Sequence, residues 1–275
     1  MQIIHSIQAL RAWRKQHNDV AFVPTMGNLH AGHLALVTQA RQQASQVVVS
    51  IFVNPLQFGI NEDYSRYPRT QVQDEALLKN LGVDVIFAPS VDELFPNPQS
   101  YHIEPPAIAN ALCGEFRPGH FRGVATIVMK LFNIVQPSIA VFGKKDYQQL
   151  TMIRAMVADF SLPIDIVAGE TVRAEDGLAL SSRNGFLNDN ERQTAPQLYA
   201  TLLDVKRQLL GGARNFIQIE ESMTKQLCEQ GWQVDYITIR DVYLAKPTQT
   251  SKQLVVLAAA RLGQTRLIDN IELVL

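Results

Sequence analysis

The sequence predicts an α/β protein: a doubly wound parallel sheet followed by a smaller α+β domain. Three observations carry this. Strand-like and helix-like patterns alternate through roughly the first 170 residues, which is the signature of a parallel sheet built from βαβ units. The run Val47-Val48-Val49-Ser50-Ile51-Phe52-Val53 is nearly continuous in apolar and β-branched residues, as a strand buried on both faces requires. Beyond Asn184 the order changes to helices followed by strands, which suits an α+β unit.

Taken in order, Ser6 as N-cap with Ile7, Leu10 and Trp13 on one side reads as a short surface helix. Its basic residues Arg11, Arg14 and Lys15 superficially resemble those of a transit peptide. Residues 20–23 form a strand closed by Pro24, and 31–45 a helix with Leu34, Val37 and Ala40 among its apolar positions. The 47–53 run is the second strand. A helix over 71–81 ends near Gly82, and 83–88 is the next strand. A helix over 124–135 stops before Pro137, because the residue preceding proline disfavours the helical region. Residues 139–142 are a strand, 147–160 a helix and 164–167 a last short strand. The stretch 169–184 is polar and rich in Gly, Ser and Arg. A long helix over 189–210 follows, with Asn188 as cap and Gly211-Gly212 as stop. Then come a helix over 216–230 and strands at 234–239, 254–260 and 265–273. The expected domains are 1–170 and 171–275.

Composition narrows the class. Of 275 residues, 47% are hydrophobic and 19% charged, with a net charge of −1. That describes a soluble globular chain with no global field to recruit nucleic acid or an anionic membrane. No apolar run approaches a membrane span. Cys113 and Cys228 have no zinc-type spacing, so thiols in a reducing cytoplasm are expected.

Ligands of open parallel sheets bind beyond the carboxyl ends of the strands, and there the polar motifs fall. After the first strand comes Met26-Gly27-Asn28-Leu29-His30-Ala31-Gly32-His33, running into a helix. Histidines at i and i+3 share a helix face, and a helix N-terminus offers free N–H groups and a positive dipole end to phosphate. After the second strand comes Asn54-Pro55-Leu56-Gln57-Phe58, and after Phe142 comes Gly143-Lys144-Lys145-Asp146-Tyr147-Gln148-Gln149. Arg117-Pro118-Gly119-His120 lies between them, and Leu180-Ser181-Ser182-Arg183-Asn184 closes the junction. Each admits a structural reading: cap histidines, a turn after a strand, a solvated helix start with Asp146 as N-cap, a tight turn, a polar linker. A metal would need a third ligand beside His30 and His33, so no metal-ligating residue is assigned. Several cationic and amide motifs at consecutive strand ends together point to a phosphate-handling site.

The H-x-G-H turn resembles that of the nucleotidylyltransferase superfamily, which works at the α-phosphate of ATP. The full set of blocks is more specific and resembles the pantothenate synthetase (pantoate–β-alanine ligase) family. It comprises P-T-M-G-x-L-H-x-G-H at 24–33, F-V-N-P-x-Q-F at 52–58, Y-P-R at 67–69, R-P-G-H-F-x-G-V at 117–124, G-x-K-D-x-Q-Q at 143–149 and E-D-G-L-A-x-S-S-R-N at 175–184. Lys144 stands where the family pattern has Glu, and Leu180 where it has Met. The C-terminal part carries no motif this sharp.

The resemblance implies a Rossmann-like nucleotidylyltransferase fold, whose smaller domain is a candidate for closing over the active site. It implies ATP and Mg²⁺, with pantoate and β-alanine as the other substrates and a cytoplasmic homodimer as the working form. Pantoate would attack the α-phosphorus of ATP to give pantoyl-adenylate and pyrophosphate. β-Alanine would then displace AMP. The implied catalytic residues are His30, His33, Lys145 and Arg183. The implied ATP site comprises Met26, Gly27, Asn28, Leu29, His30, Ala31, Gly32, His33, Gly143, Lys144, Lys145, Asp146, Val172, Leu180, Ser181, Ser182 and Arg183. Gln57 and Gln149 would hold pantoate, and Arg117 and His120 would order the wall. Two alternatives stay open from the residues alone. Another H-x-G-H enzyme that transfers AMP to a phosphate would need a second cationic pocket, which the uncharged Asn54/Gln57 block does not supply. A non-catalytic nucleotide binder would have lost phosphate cations, and none is missing.

Overall fold

The computed structural model describes residues 1–60 and 62–275. Its elements in chain order begin with β1 (Gln2–Ile4), α1 (Ile7–Arg14), β2 (Val20–Thr25), α2 (Ala31–Arg41) and β3 (Gln46–Ile51). Next are α3 (Gln71–Asn80), β4 (Val85–Phe87), α4 (Val91–Leu94), α5 (Cys113–Phe116), α6 (His120–Val135), β5 (Ile139–Gly143), α7 (Tyr147–Asp159) and β6 (Asp165–Gly169). The chain ends with α8 (Asp189–Thr194), α9 (Gln197–Leu210), α10 (Phe216–Glu229), β7 (Gln233–Asp241), β8 (Gln253–Leu262) and β9 (Thr265–Val274). Two compact units result. One comprises Met1–Gly143 with Met152–Glu170, the other Lys144–Thr151 with Thr171–Leu275.

The first unit is built on a six-stranded, wholly parallel sheet in the order β1-β4-β3-β2-β5-β6. Val20 to Val23 of β2 and Val47 to Val49 of β3 are fully buried, as strands covered by helices on both faces must be. The chain leaves β2 for β3 on one side and later returns to β5 on the other. The reversal of strand order therefore lies between β2 and β5, where such sheets bind ligands. Edge strand β1 escaped the sequence reading because three residues are too short to show periodicity. Helix α6 begins at His120 rather than 124, entered through left-handed Gly119 (φ 80°).

In the second unit β7, β8 and β9 form an antiparallel sheet. Leu198, Leu202, Val205 and Leu209 make one apolar stripe on α9 at helical spacing and join a core with Val256, Ala258 and Ala260 of β8. The single helix expected over 189–210 is two, α8 and α9, because Pro196 has no N–H to donate to the carbonyl of Arg192. Asn188 caps α8 as read from the sequence, in a reciprocal box with Glu191. Among the described residues no helix is long and apolar enough to cross a membrane.

Gly123 on α6 lets that helix touch the turn 55–57. A Cβ there would lie 2.1 Å from the Leu56 carbonyl oxygen and 2.7 Å from Gln57 Cα. Gly123→Ala is expected to destabilise the fold by about 1–3 kcal/mol, the usual cost of overpacking. A urea midpoint equal to wild type would show that the contact is not tight.

Candidate active site

The loop leaving β2 is shaped by backbone constraints. The Thr25 hydroxyl donates to the Ser50 carbonyl at 2.7 Å and accepts from Gly27 N–H at 3.2 Å. Gly27 (φ 81°) and Asn28 (φ 51°) are both left-handed, so the chain reverses within two residues. The reversal aims successive amides inward. Asn28 N–H and Leu29 N–H donate to the two carboxylate oxygens of Asp74 at 2.9 and 2.8 Å. The Thr70 hydroxyl donates to the same carboxylate at 3.2 Å. Asp74, on the first turn of α3, is only 1% exposed, so hydrogen bonds from protein groups must stand in for its lost hydration. A Cβ on Gly27 would come within 3.1 Å of Asp74 Oδ2. The sequence reading did not select Asp74. Its partners are 45 and 46 residues away, and nothing local marks it beyond its place four residues after Thr70.

The two histidines form the N-terminal cap of α2. Gly32 N–H donates to His30 Nδ1 at 3.1 Å and His30 N–H donates to His33 Nδ1 at 3.4 Å, a reciprocal cap with imidazoles in place of the usual oxygens. The ring centroids are 4.1 Å apart. An Nδ1 that accepts carries no proton, so each neutral ring bears its hydrogen on Nε2. The cap thus fixes both tautomers and makes two N–H donors at the positive end of a helix, which suits a phosphate oxygen.

Gln57 ends a 3-10 turn, 55–57, capped by buried Asn54. The Asn54 amide donates to Gln57 Oε1 at 3.1 Å and to the Gly123 carbonyl at 3.2 Å. Gln57 Nε2 lies 3.2 Å from Met26 Sδ, so the fold brings the histidine loop and the Asn54–Gln57 turn together. Behind this turn, Arg117 grips Glu62 bidentately at 2.7 and 2.6 Å. Arg117 also donates to His120 Nε2 at 2.9 Å, and His120 Nδ1–H donates to the Gln57 carbonyl at 2.8 Å. Arg117 and His120 therefore brace the Gln57 turn, and Glu62 is a partner the sequence did not disclose. Burial pushes the Glu62 carboxyl up, but the hydrogen bonds and charge of Arg117, with His120 and the Gly59 backbone, outweigh it and leave it below its ordinary 4.5.

Met26 to His33, Gln57 and Gly143 belong to the first unit, and Gly143 ends β5 beside Gly169 of β6. Lys144, Lys145, Asp146, Gln149, Val172, Leu180, Ser181, Ser182 and Arg183 belong to the second. There Lys144, Lys145 and Asp146 form a 3-10 turn leading into α7. Leu180 N–H donates to the Val172 carbonyl at 3.0 Å, closing a hairpin whose tip is Gly177 (φ 92°). Ser181 caps the following turn by accepting from Arg183 N–H at 3.2 Å. Lys144 is matched by Glu272, its Nζ 2.7 Å from Oε2. The positive charge that departs from the family pattern is therefore locally balanced. Among the described residues, no three His, Cys, Asp or Glu side chains are grouped to hold a metal ion.

Comparison with known proteins is consistent across sequence and structure. The family model described as Pantoate-beta-alanine ligase matches residues 2–272. A pantothenate synthetase of Neisseria meningitidis serogroup A is 57% identical over 275 residues, covering 99% of each chain. One from Methylobacillus flagellatus is 58% identical over 273 residues, covering 99% of this chain and 98% of that protein. A crystal structure of the Thermus thermophilus pantothenate synthetase superposes with a TM-score of 0.94 at 43% identity, over 98% of this chain and 99% of that one. The Francisella tularensis pantoate-beta-alanine ligase, complexed with beta-gamma ATP and beta-alanine, superposes with a TM-score of 0.83 at 36% identity, over 98% and 97%.

Two consequences are measurable. Asp74→Ala leaves two inward-facing amides without their acceptor, so it should raise the KM for nucleotide about tenfold or more and lower the melting temperature. Asp74→Asn, with one acceptor oxygen left, should fall between. Wild-type values for both quantities would reject the clamp. Glu62 has a depressed folded-state pKa, so its contribution is full above the ordinary value of 4.5 and fades as pH falls through the depressed one. Urea denaturation at about pH 6 and about pH 3.5 should show a larger acid loss for wild type than for Glu62→Gln. Equal losses would contradict the assignment.

Proposed function

The chain belongs to the pantoate-beta-alanine ligase family, and on that premise we propose how its residues divide the reaction. It is an ATP-dependent ligase that joins pantoate to β-alanine. The observation that carries the assignment of roles is the adjacency in the first unit of a histidine-capped helix and an amide pocket, joined where Gln57 meets Met26. One suits a phosphate; the other, lined by uncharged amides that both donate and accept, suits hydroxyl and carboxylate oxygens.

ATP binds with its phosphates at the Nε2–H groups of His30 and His33, at the N-terminus of α2, and magnesium enters with the triphosphate as part of the substrate. Magnesium characteristically keeps several waters and substrate phosphates rather than an all-protein cage. Pantoate is held by Gln57 and Gln149. Its carboxylate attacks the α-phosphorus, forming pantoyl-adenylate, and pyrophosphate leaves with the displaced electron pair. His30, His33 and Lys145 offset the charge that builds on the phosphorus oxygens. Ser181, Ser182 and Arg183 hold the β- and γ-phosphates, the guanidinium offering a planar fork. The neutral amine of β-alanine then attacks the acyl carbon, AMP leaves, and the amine proton passes to solvent. No side chain becomes covalently attached. The protein supplies position and charge. The Francisella relative complexed with beta-gamma ATP and beta-alanine supports both ligand classes. The free thiols Cys113 and Cys228 suit the cytoplasm as the working compartment, and the family resemblance supports a homodimer, which sedimentation would test.

The decisive experiment is isotope exchange. With pantoate and Mg²⁺ present and β-alanine absent, the enzyme should move labelled pyrophosphate into ATP, and omitting pantoate should abolish this. Lys145→Ala should slow exchange roughly 10²–10³-fold in folded protein, the usual effect of losing one preorganised charge-stabilising group. Gln57→Ala and Gln149→Ala should raise the KM for pantoate more than that for ATP. Exchange that needs no pantoate, or near-wild-type turnover by Lys145→Ala, would overturn these assignments.

A further inference from the structure

Strand β9 bears no phosphate-binding motif, yet it holds the lysine turn. Alternate residues of a strand face opposite sides. Leu267, Ile271 and Leu273 pack on the core of the second unit, and Asp269 shares their side. Asn270 and Glu272 share the other side, and both meet the segment 144–147. The single side-chain amide of Asn270 donates to the carbonyls of Lys144 and of Lys145, each at 2.9 Å. Glu272 accepts from Lys144 Nζ at 2.7 Å and from the Tyr147 hydroxyl at 2.9 Å.

Those two carbonyls belong to the peptide planes on either side of Lys145 Cα. Fixing both planes fixes φ and ψ of Lys145, and with them the direction of its Cα–Cβ bond. Asn270 is itself held. Its N–H donates to Asp269 Oδ1 at 2.8 Å, and Arg173 donates to its carbonyl at 3.2 Å. Asp269, 3% exposed at its side chain, is gripped bidentately by Arg173 at 2.6 and 2.9 Å. A buried, fully hydrogen-bonded chain of this kind specifies one geometry. Glu272 meanwhile engages the ammonium of Lys144, whereas Asn270 acts on Lys145 through its backbone.

We infer that Asn270 is the positioning residue for Lys145, and that Glu272 keeps neighbouring Lys144 from competing for the same anion. The inference rests on the assignment of Lys145 to the phosphates. Asn270→Ala should lower kcat for pantoate-dependent pyrophosphate exchange about tenfold to a hundredfold, from two lost hydrogen bonds, with the KM for pantoate nearly unchanged. The isosteric Asn270→Asp, a carboxylate facing two carbonyls, should lose at least as much and recover as the pH is lowered and the carboxyl protonates.

The test is a double-mutant cycle in the full-length enzyme. If Asn270 acts through Lys145, Asn270→Ala costs little further rate in the Lys145→Ala background but lowers the melting temperature equally in both. A folded Asn270→Ala or Asn270→Asp enzyme with wild-type kcat would overturn the inference. So would a rate loss that persists in full without Lys145. A Lys145→Ala enzyme of normal activity would instead overturn the lysine assignment itself, so the two failures are distinguishable.

Discussion

The parallel direction of six strands is the constraint on which the first unit depends. Parallel strands need crossover helices, helices cover both faces, and covered strands must be apolar almost throughout. Polar chemistry is then excluded from the strands and collects where they end. β2 ends in the histidine loop, β3 in the Asn54–Gln57 turn and β5 in Gly143 before the lysines. All three strands run the same way, so their loops leave from one edge of the sheet, and the reversal of strand order between β2 and β5 opens a crevice there.

Loops at such an edge have no ladder to hold them, and this protein uses buried charge instead. Asp74 fixes two successive amides of the histidine loop, Arg117 with Glu62 and His120 fixes the Gln57 carbonyl, and Arg173 with Asp269 braces Asn270. Asp74 and Asp269 are carboxylates removed from water and Glu62 is half-buried; each would be costly alone and is matched by N–H donors in fixed geometry. Such arrangements act on direction more than on net stability. The Asn28 and Leu29 amides, the Gln57 carbonyl and the lysine turn are thereby pinned through the backbone.

The same economy appears at α2. A helix N-terminus needs acceptors for its first N–H groups. Serine or aspartate would serve with an oxygen, but imidazole serves with Nδ1 and keeps a donor on Nε2. Capping and the phosphate recognition proposed above are thereby joined in two side chains, His30 and His33, and a substitution at either one is expected to disturb both.

The sequence by itself determined the parallel sheet, the α+β unit after it and the family, because these are written in local signals: periodicity of burial, cap residues, and polar blocks at strand ends. It singled out Met26 to His33, Gln57 and Lys145 as candidates for the same reason, each lying inside a contiguous motif. It did not show the edge strand β1, too short to have a period, nor the break at Pro196, masked by an apolar pattern that runs on in α9. It also gave no sign of Asp74, Glu62 or Asn270. An acceptor or donor that serves a backbone group tens of residues away leaves no local pattern, because the partner is a peptide N–H or C=O that every residue carries. Only the tertiary fold decides which carboxylate or amide reaches it, so the positions that aim the site were decided by the structure.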